Sequence, residues 1–460
     1  MKIGLLPLYV KLYDDFTPAS RTRHEAFYEE ISKLFEKKGT VVVKSSFCRI
    51  ESEFAETVKL FETENVDAIV TLHMAYSPSL ESVKILSNTK LPIVVLDTTS
   101  VFEFDNMKSP ADITYCHGIH GVMDMCCMLK RYGKDFAIAA GHYSESDVIE
   151  RVCGYVRATI AKKAFSETKV AMFGGLFDGM GDFRVENELL LGRFGIKVIE
   201  KSAAEMNKYM DDVPDNEIAL EYEKDKTKYD FDESVIEAEY TEELRSSLAV
   251  RKCIEKEQFT AFTANFRNMG KKSGLSTMPF LEACKSMENG IGYAGEGDPL
   301  TASLVGALLK GYPETTFMEI FCPDWKKDLL FLSHMGEVNY RIVNSKPYIR
   351  RAKINYAEGT MPYAGYARMK GGKGVFVNIC PTKDDFRLVI CNAEMQEYAE
   401  DNFPYNVRGW MKPDNLTTAE FLEKLSINGA THHSAFVYGA TVSELEYFGK
   451  LLKIETVIIK

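Results

Sequence analysis

The sequence predicts an α/β protein in which two doubly wound parallel-sheet domains precede a β-rich, barrel-like domain. Three observations predict this architecture. Short apolar strands alternate with helices over the first hundred residues, a second such series begins near Lys169, and short strands separated by turns follow one another from about Lys346. A chain of 460 residues is also longer than one compact core usually takes. We therefore predict domains at residues 1–168, 169–315 and 316–460.

The N-terminal domain is predicted from alternating periodicities. Apolar runs predict strands at residues 2–6, 40–43, 67–72 and 91–96, and apolar residues at helical spacing predict helices at residues 22–38, 51–64 and 80–87. Gly39 follows the first helix, as is typical of a residue just past a helix end. Ligands bind beyond the carboxyl ends of the strands in such sheets. The loops after Leu6 and Leu72 are therefore candidate ligand loops.

The later elements are predicted from the same signals. The apolar run Lys169-Val170-Ala171-Met172-Phe173 begins the central domain. The acidic stretch at residues 211–243 is interpreted as a solvated helical face or excursion, with a functional acidic tail as the alternative. Strands at residues 348–354, 374–379 and 386–391, with a helix at residues 418–425, predict the β-rich C-terminal domain.

Composition excludes two classes of protein. The 56 Lys and Arg against 67 Asp and Glu give a net charge of −11, and no clustered basic surface that would bind nucleic acid is visible. No apolar run approaches the roughly 20 residues of a spanning helix, so we predict no membrane partner. Ten cysteines without a C-x-x-C pair argue against a zinc ribbon and predict a cytoplasmic protein with reduced thiols.

Four short motifs carry residues that could do chemistry. They centre on Glu296 in a glycine-rich turn, Glu319 in an apolar run, His334 before Met-Gly-Glu, and the adjacent pair His432 and His433. The first three also have a structural interpretation: a turn in which Asp298 caps the next helix, an exposed strand-end carboxylate, and a hydrogen-bonded core histidine, respectively. On a strand, adjacent histidines point opposite ways, so at most one of the pair can readily face a given site.

Together the four motifs predict more than each does alone. Two glutamates and two histidines supply oxygen and imidazole ligands, a set suited to Mn²⁺, Mg²⁺, Co²⁺ or Zn²⁺. The pattern therefore predicts a site for one divalent ion.

The same motifs resemble those of L-arabinose isomerases, within a wider group of aldose–ketose isomerases that includes L-fucose isomerases. The resembling segments, in chain order, are His73-Met74-Ala75-Tyr76-Ser77-Pro78, Ile119-His120-Gly121, Ala261-Phe262-Thr263-Ala264-Asn265-Phe266, residues 292–298, Thr301-Ala302-Ser303-Leu304, Phe317-Met318-Glu319, Ser333-His334-Met335-Gly336-Glu337-Val338 and Gly429-Ala430-Thr431-His432-His433. They span nearly the whole chain.

The resemblance implies a three-domain subunit, a Mn²⁺-type ion (with Mg²⁺ or Co²⁺ as alternatives) and a homo-oligomer, a trimer or a hexamer built from trimers, with its site near a subunit interface. The implied metal ligands are Glu296, Glu319, His334 and His433, with His432 the less favoured of its pair. The implied sugar-binding positions are Phe266, His120 from a neighbouring subunit, Val10, Phe177 and His432. Val10 stands where the family has a sugar-contacting glutamine, and the loop holding Phe177 also departs from the family pattern.

The predicted function is therefore interconversion of an aldose and a ketose, of the L-arabinose and L-ribulose kind, through a cis-enediol. Glu296 and Glu319 would be the acid/base pair, and a hydride shift would use the same residues. Isomerisation of another sugar such as L-fucose or D-arabinose, catalytically silent sugar binding on the same scaffold, and metal-dependent hydrolysis remain alternatives.

Overall fold

The computed structural model describes residues 1–270, 272–352 and 361–460. The chain divides into two compact units, Met1–Ile160 and Ala161–Lys460. Among the helices in the described ranges, none combines the length and the apolar character needed to cross a membrane. The finer division into three domains stays a prediction.

The first unit contains a five-stranded parallel sheet with the order β2-β1-β3-β4-β5. Its strands are β1 (Lys2–Leu8), β2 (Val41–Lys44), β3 (Ala68–His73), β4 (Ile93–Asp97) and β5 (Phe136–Ala140). Its helices are α1 (Lys11–Phe16), α2 (Arg21–Lys37), α3 (Glu51–Thr63), α4 (Val83–Asn88), α5 (Ile113–Cys116), α6 (Gly118–Arg131) and α7 (Val148–Ser166), the last of which continues into the second unit. The doubly wound parallel sheet predicted for this region is confirmed.

The central strands of this sheet are buried along nearly their whole length, which explains why they read as unbroken apolar runs. One predicted helix differs from its predicted form. Residues 80–87 begin with a short 3-10 turn, Ser79–Glu81, before α4. The main-chain N–H and the hydroxyl of Ser79 both donate to the Asp124 carboxylate, at 3.0 and 2.8 Å, which holds this turn apart from the helix.

A buried histidine makes the stability of the first unit dependent on pH. His73 is 3% exposed, and burial lowers its pKa from 6.5 to about 3. Because the unfolded chain binds a proton at this residue below pH 6.5 and the folded chain does not, the stability it contributes is present above pH 6.5 and is lost as the pH falls. We expect the free energy of opening at β3 to fall by about 1.4 kcal/mol per pH unit from this residue alone.

Amide hydrogen exchange of β3 between pH 7 and pH 5, corrected for the intrinsic exchange rate, measures this slope. In the variant His73→Asn, the free energy of opening should depend less steeply on pH. Part of the dependence should remain because burial also lowers the pKa of His24, to about 4. Equal slopes in the two proteins would contradict the assignment.

The second unit begins with a four-stranded parallel sheet of the order β10-β9-β6-β7. Its strands are β6 (Lys169–Phe173), β7 (Lys197–Lys201), β9 (Ala261–Ala264) and β10 (Gly292–Gly295), and β8 (Asp230–Phe231) lies elsewhere in the unit. The helices are α8 (Asn187–Phe194), α9 (Ala203–Asp211), α10 (Asp215–Lys228), α11 (Glu237–Glu257), α12 (Phe280–Glu288) and α13 (Pro299–Gly311). This confirms the predicted second parallel sheet, and α13 packs on β10 with Gly292 and Gly306 at the point of closest approach.

The acidic stretch at residues 211–243 is only partly a solvated face. Glu221 and Asp225 of α10 are buried, and both accept hydrogen bonds from the Lys285 ammonium at 2.8 Å. Glu243 of α11 is also buried and accepts the main-chain N–H of Tyr363. The interpretation as a solvated face or excursion was wrong at these carboxylates, because their partners lie far away in the sequence.

The C-terminal part is a closed six-stranded barrel, which confirms the predicted β-rich, barrel-like architecture. The strands follow the order β15-β18-β11-β12-β17-β16, pairing of β15 with β16 closes the barrel, and β19 adds in parallel to β16. These strands are β11 (Thr315–Asp324), β12 (Leu329–His334), β15 (Gly372–Pro381), β16 (Phe386–Gln396), β17 (Val407–Pro413), β18 (His433–Tyr438) and β19 (Glu455–Ile459), with helices α14 (Thr418–Ile427) and α15 (Val442–Leu452). A small separate sheet joins β8 to β13 (Tyr348–Arg351) and β14 (Tyr363–Tyr366). The predicted strand at residues 348–354 runs beyond β13 into positions outside the described residues.

Candidate active site

Three neighbouring barrel strands bring one carboxylate and two imidazoles together. Strand β11 lies between β12 and β18, and its register pairs Glu319 with Ser333 on one side and with His433 on the other. His334 directly follows Ser333 at the end of β12. Residues more than 100 positions apart in the sequence therefore meet at one edge of the barrel.

The second carboxylate comes from the turn between β10 and α13. Glu296 has a φ of 63°, a left-handed conformation that costs a non-glycine residue about 1–3 kcal/mol. Its main-chain N–H donates to the Ala264 carbonyl at 2.9 Å, and Asp298 caps α13 by accepting the Thr301 N–H. The predicted cap is confirmed, and the turn holds Glu296 in a fixed, strained conformation.

The four side chains of the predicted metal set lie close together. The candidate ligand atoms of Glu319, His334 and His433 lie within 4.8 Å of one another, and so do those of Glu296, His432 and His433. His433 belongs to both groups. Its Nε2 is 3.5 Å from Glu296 Oε2, and His334 Nε2 is 3.7 Å from Glu319 Oε2.

Each of the two barrel histidines is oriented by a buried carboxylate. His334 Nδ1 lies 2.7 Å from Glu337 Oε2, and the other oxygen of Glu337 accepts the Tyr293 hydroxyl at 2.6 Å. His433 Nδ1 lies 3.0 Å from Asp298 Oδ2, and both of these side chains are completely buried. A carboxylate behind a histidine fixes its tautomer and turns the other ring nitrogen towards a ligand.

These residues fit a divalent ion. His433 Nε2 is buried and makes no hydrogen bond to any residue that the structure describes, although it faces the Glu296 carboxylate. An imidazole nitrogen left without a partner beside carboxylates, in a set of oxygen and nitrogen donors, matches the ligands of Mn²⁺, Mg²⁺, Co²⁺ or Zn²⁺.

Electrostatics within the cluster keep the Glu296 carboxylate ionised. Burial raises the pKa of Glu296, but the hydrogen bond from His432 and the nearby imidazoles of His433 and His334 more than offset this, so that the pKa lies well below its ordinary value. Burial lowers the pKa of His334, but the Glu337 charge and hydrogen bond raise it to about 9. Mutual stabilisation of opposite charges therefore compensates for desolvation in this cluster.

The adjacent histidines do not follow the strand rule that we applied to them. Strand β18 begins at His433, so His432 lies just before the strand. The alternation of side chains between the two faces of a strand therefore does not apply to His432. Both rings reach the same carboxylate, with His432 Nε2 3.4 Å from Glu296 Oε2. The expectation that at most one of the pair would face the site was therefore wrong.

The predicted sugar-binding residues fall in two groups. Phe177 and Phe266 lie in the second unit with ring centroids 5.4 Å apart, and the Phe177 N–H donates to the Glu296 carbonyl. Val10 and His120 belong to the first unit. There, Val10 directly precedes α1, and His120 lies in α6 with its ring stacked on Tyr76.

Sequence reasoning missed the carboxylates behind the histidines. Glu337 carried a local signal, because it follows His334 by three residues. Asp298 was interpreted only as a helix cap, although its second oxygen bonds His433. Asp182, which bonds His432, had no signal, since the two residues are 250 positions apart.

Comparison with known proteins agrees with these features. The family models for the L-arabinose isomerase central domain and C-terminal domain match residues 181–310 and 314–455, together more than half of the chain. The L-arabinose isomerase of Shouchella clausii is 26% identical over 429 residues, covering 87% of this chain and 84% of that protein. The L-arabinose isomerase of Bacillus subtilis is 25% identical over 430 residues, covering 89% and 82%.

Among solved structures, a periplasmic solute-binding protein from Actinobacillus succinogenes with bound D-allose covers 67% of this chain and 91% of its own. Its identity is 12% and its TM-score 0.18, too low to bear on the fold. The residues that the two family models match include the barrel and the parts of the parallel sheet that carry the clustered glutamates and histidines. The chain belongs to the L-arabinose isomerase family and is an aldose–ketose isomerase.

Proposed function

We propose that this enzyme interconverts an aldose and a ketose of the L-arabinose and L-ribulose kind, with one divalent ion, foremost Mn²⁺, held by Glu296, Glu319, His334 and His433. The observation that carries the proposal is the convergence of two carboxylates from separate elements on His433. A protein that only binds sugar has no need for two carboxylates at this position, whereas moving a proton between two carbons needs both.

The chemistry requires a proton to move between C1 and C2 of the sugar. When bound, the ion supplies Lewis-acid polarisation of the sugar carbonyl and so makes the neighbouring C–H proton more acidic. One of Glu296 and Glu319 removes that proton to give the cis-enediol, and the other serves the hydroxyl whose proton must move. Such acid/base groups contribute typically 10²–10⁴-fold to the rate.

The two glutamates are suited to these roles by access as well as by position. The side chain of Glu296 is 13% exposed and that of Glu319 is 23% exposed, so a sugar can reach both. The His433 side chain, in contrast, is completely buried. Phe177 and Phe266 offer an aromatic wall beside Glu296. In this proposal the histidines hold the ion and the carboxylates also handle protons.

Turnover of a panel of pentoses and hexoses tests the proposal. We expect L-arabinose or a close relative to be isomerised with Mn²⁺, and activity to be lost with a chelator. Val10, in place of the family's glutamine, makes preference for L-fucose or D-arabinose the main alternative outcome. Sugar binding without turnover at any metal would instead favour a silent binding protein.

Solvent deuterium distinguishes the two mechanisms. Proton transfer through an enediol allows exchange, so ketose formed in D₂O should carry deuterium at C1. A hydride shift would move the C2 hydrogen directly and leave the product unlabelled.

We propose a homo-oligomer, a trimer or a hexamer, in which His120 contributes to a neighbouring subunit's site. The resemblance supports this, and so do the large apolar side chains Phe16, Met107 and Met123, which the first unit exposes by 77%, 84% and 66%. Light scattering of the purified protein measures the mass, and a monomer that is fully active would contradict the proposal.

The close contact between Gly295 and His334 gives a prediction for metal binding. A Cβ on Gly295 would lie 2.8 Å from His334 Cε1, too close for the ring to keep its position. We expect Gly295→Ala to weaken Mn²⁺ binding at least about tenfold, the lower end of the effect of losing a partner behind a ligand. Calorimetric titration of metal-free protein measures this, and an unchanged Kd would contradict the placement of His334 in the shell.

A further inference from the structure

The segment between β6 and α8, residues 174–186, makes two contacts with the metal set and a third with the adjacent His432. The Phe177 N–H donates to the Glu296 carbonyl at 3.2 Å. The Phe183 ring stacks on His433, with centroids 4.9 Å apart and planes at 11°. Asp182 bonds His432. We call residues 174–186 the β6–α8 segment.

Asp182 holds one residue at two points. Its Oδ2 accepts the main-chain N–H of His432 at 2.8 Å and the ring Nδ1–H at 2.6 Å. Fixing both the backbone and the ring leaves His432 only one free ring nitrogen, and this Nε2 lies 3.4 Å from Glu296 Oε2. The orientation of His432 is therefore set by Asp182 and directed at Glu296.

Stability alone does not account for this arrangement. The side chains of His432 and Asp182 are 33% and 38% exposed, and pairs this accessible contribute little to folding. His432 also contacts only one side of the metal set. Its ligand atom lies within 4.8 Å of those of Glu296 and His433, but it does not belong to the group formed by Glu319, His334 and His433. If Glu296, Glu319, His334 and His433 held an ion together, His432 would lie beside one of these ligands, Glu296.

We propose that Asp182 is a positioning residue which, through His432, fixes the carboxylate of Glu296 for metal binding and proton transfer. This inference rests on the proposed function of the Glu296 site. It assigns to the β6–α8 segment the task of holding one side of that site. His432 then acts on Glu296 and is not a fifth ligand.

The variants Asp182→Ala and Asp182→Asn test this, with Asp178→Asn as the matched control. Asp178 is an exposed carboxylate of the same segment. Metal-free protein is titrated with Mn²⁺, and the free ion is followed by electron paramagnetic resonance. We expect Asp182→Ala to raise the Kd for Mn²⁺ by about tenfold, the lower end of the effect of losing a partner behind a metal ligand, because Asp182 acts on Glu296 only through His432. Asp182→Asn can still accept hydrogen bonds but lacks the charge, so it should lie in between.

Steady-state kinetics supply the second readout. Asp182→Ala should lower kcat at saturating Mn²⁺ while KM for the sugar changes less than twofold, and the thermal unfolding midpoint should stay that of the wild type. Asp182→Glu should recover part of the loss. A merely structural role would instead shift the unfolding midpoint and leave the Kd for Mn²⁺ in folded protein unchanged.

The outcomes separate this inference from the function on which it rests. If the wild type binds Mn²⁺ and isomerises sugar while Asp182→Ala keeps the same Kd and kcat, the positioning role is wrong and the proposed function stands. If the wild type binds no Mn²⁺ and turns over no sugar, the proposed function fails and the inference fails with it.

Discussion

Replacing Glu319 with glutamine is expected to lower kcat for isomerisation by about 10²–10⁴-fold while leaving the fold intact. Glu319 lies at the point where β11 passes between β12 and β18, and its side chain is partly exposed, so the amide can be accommodated without burying an unpaired charge. The amide cannot take up a proton, and it is a poorer metal ligand than the carboxylate. Initial rates at saturating Mn²⁺ and sugar measure the effect.

The matched control is Glu394→Gln. Glu394 is an exposed carboxylate on β16 of the same barrel, so the variant removes the same charge away from the cluster and should keep wild-type kcat. Near-normal turnover by the Glu319→Gln enzyme with any sugar would show that Glu319 is not part of the acid/base pair.

Replacing His433 with asparagine is expected to weaken Mn²⁺ binding by more than the roughly 10–100-fold that loss of an outer partner costs. His433 is the one residue shared by both groups of candidate ligand atoms, and its Nδ1 is already bonded to Asp298. Asparagine can keep a hydrogen bond with Asp298. Its side chain is too short, however, to place a metal-ligand atom where Nε2 of His433 lies. Titration of metal-free protein with Mn²⁺ measures the change in Kd.

The control for this variant is His142→Asn, in the first unit, where the half-buried His142 contacts Ser144. It should keep the wild-type affinity. If His433→Asn binds Mn²⁺ as tightly as the wild type, His433 is not a ligand, and its burial beside Asp298 is purely structural.

The two parallel sheets were predictable from the sequence, whereas the order of their strands was not. Strands such as β1 and β3 are buried on both faces, so they appear as continuous apolar runs between helical periods. Closure of the barrel by β15 and β16 depends on register between distant segments, and no local pattern encodes that. Sequence therefore predicted a β-rich domain more readily than its pairings.

Local context indicated which side chains cluster, but not the contacts that support them. Glu296 was visible because glycines flank it, and Glu319 because a carboxylate in an apolar run needs a partner. The bond between Asp182 and His432 joins residues 250 positions apart, so it arises only from the tertiary fold. The orientation of His432 was misjudged because it depends on where β18 begins, and strand ends are hard to locate from sequence.

Anomalous diffraction at the manganese edge, from crystals of the enzyme soaked in Mn²⁺, tests the central claim most directly. The expected result is one strong peak about 2 Å from carboxylate oxygens of Glu296 and Glu319 and from Nε2 of His334 and His433. A fully active enzyme whose manganese peak lies away from these four side chains would contradict the account.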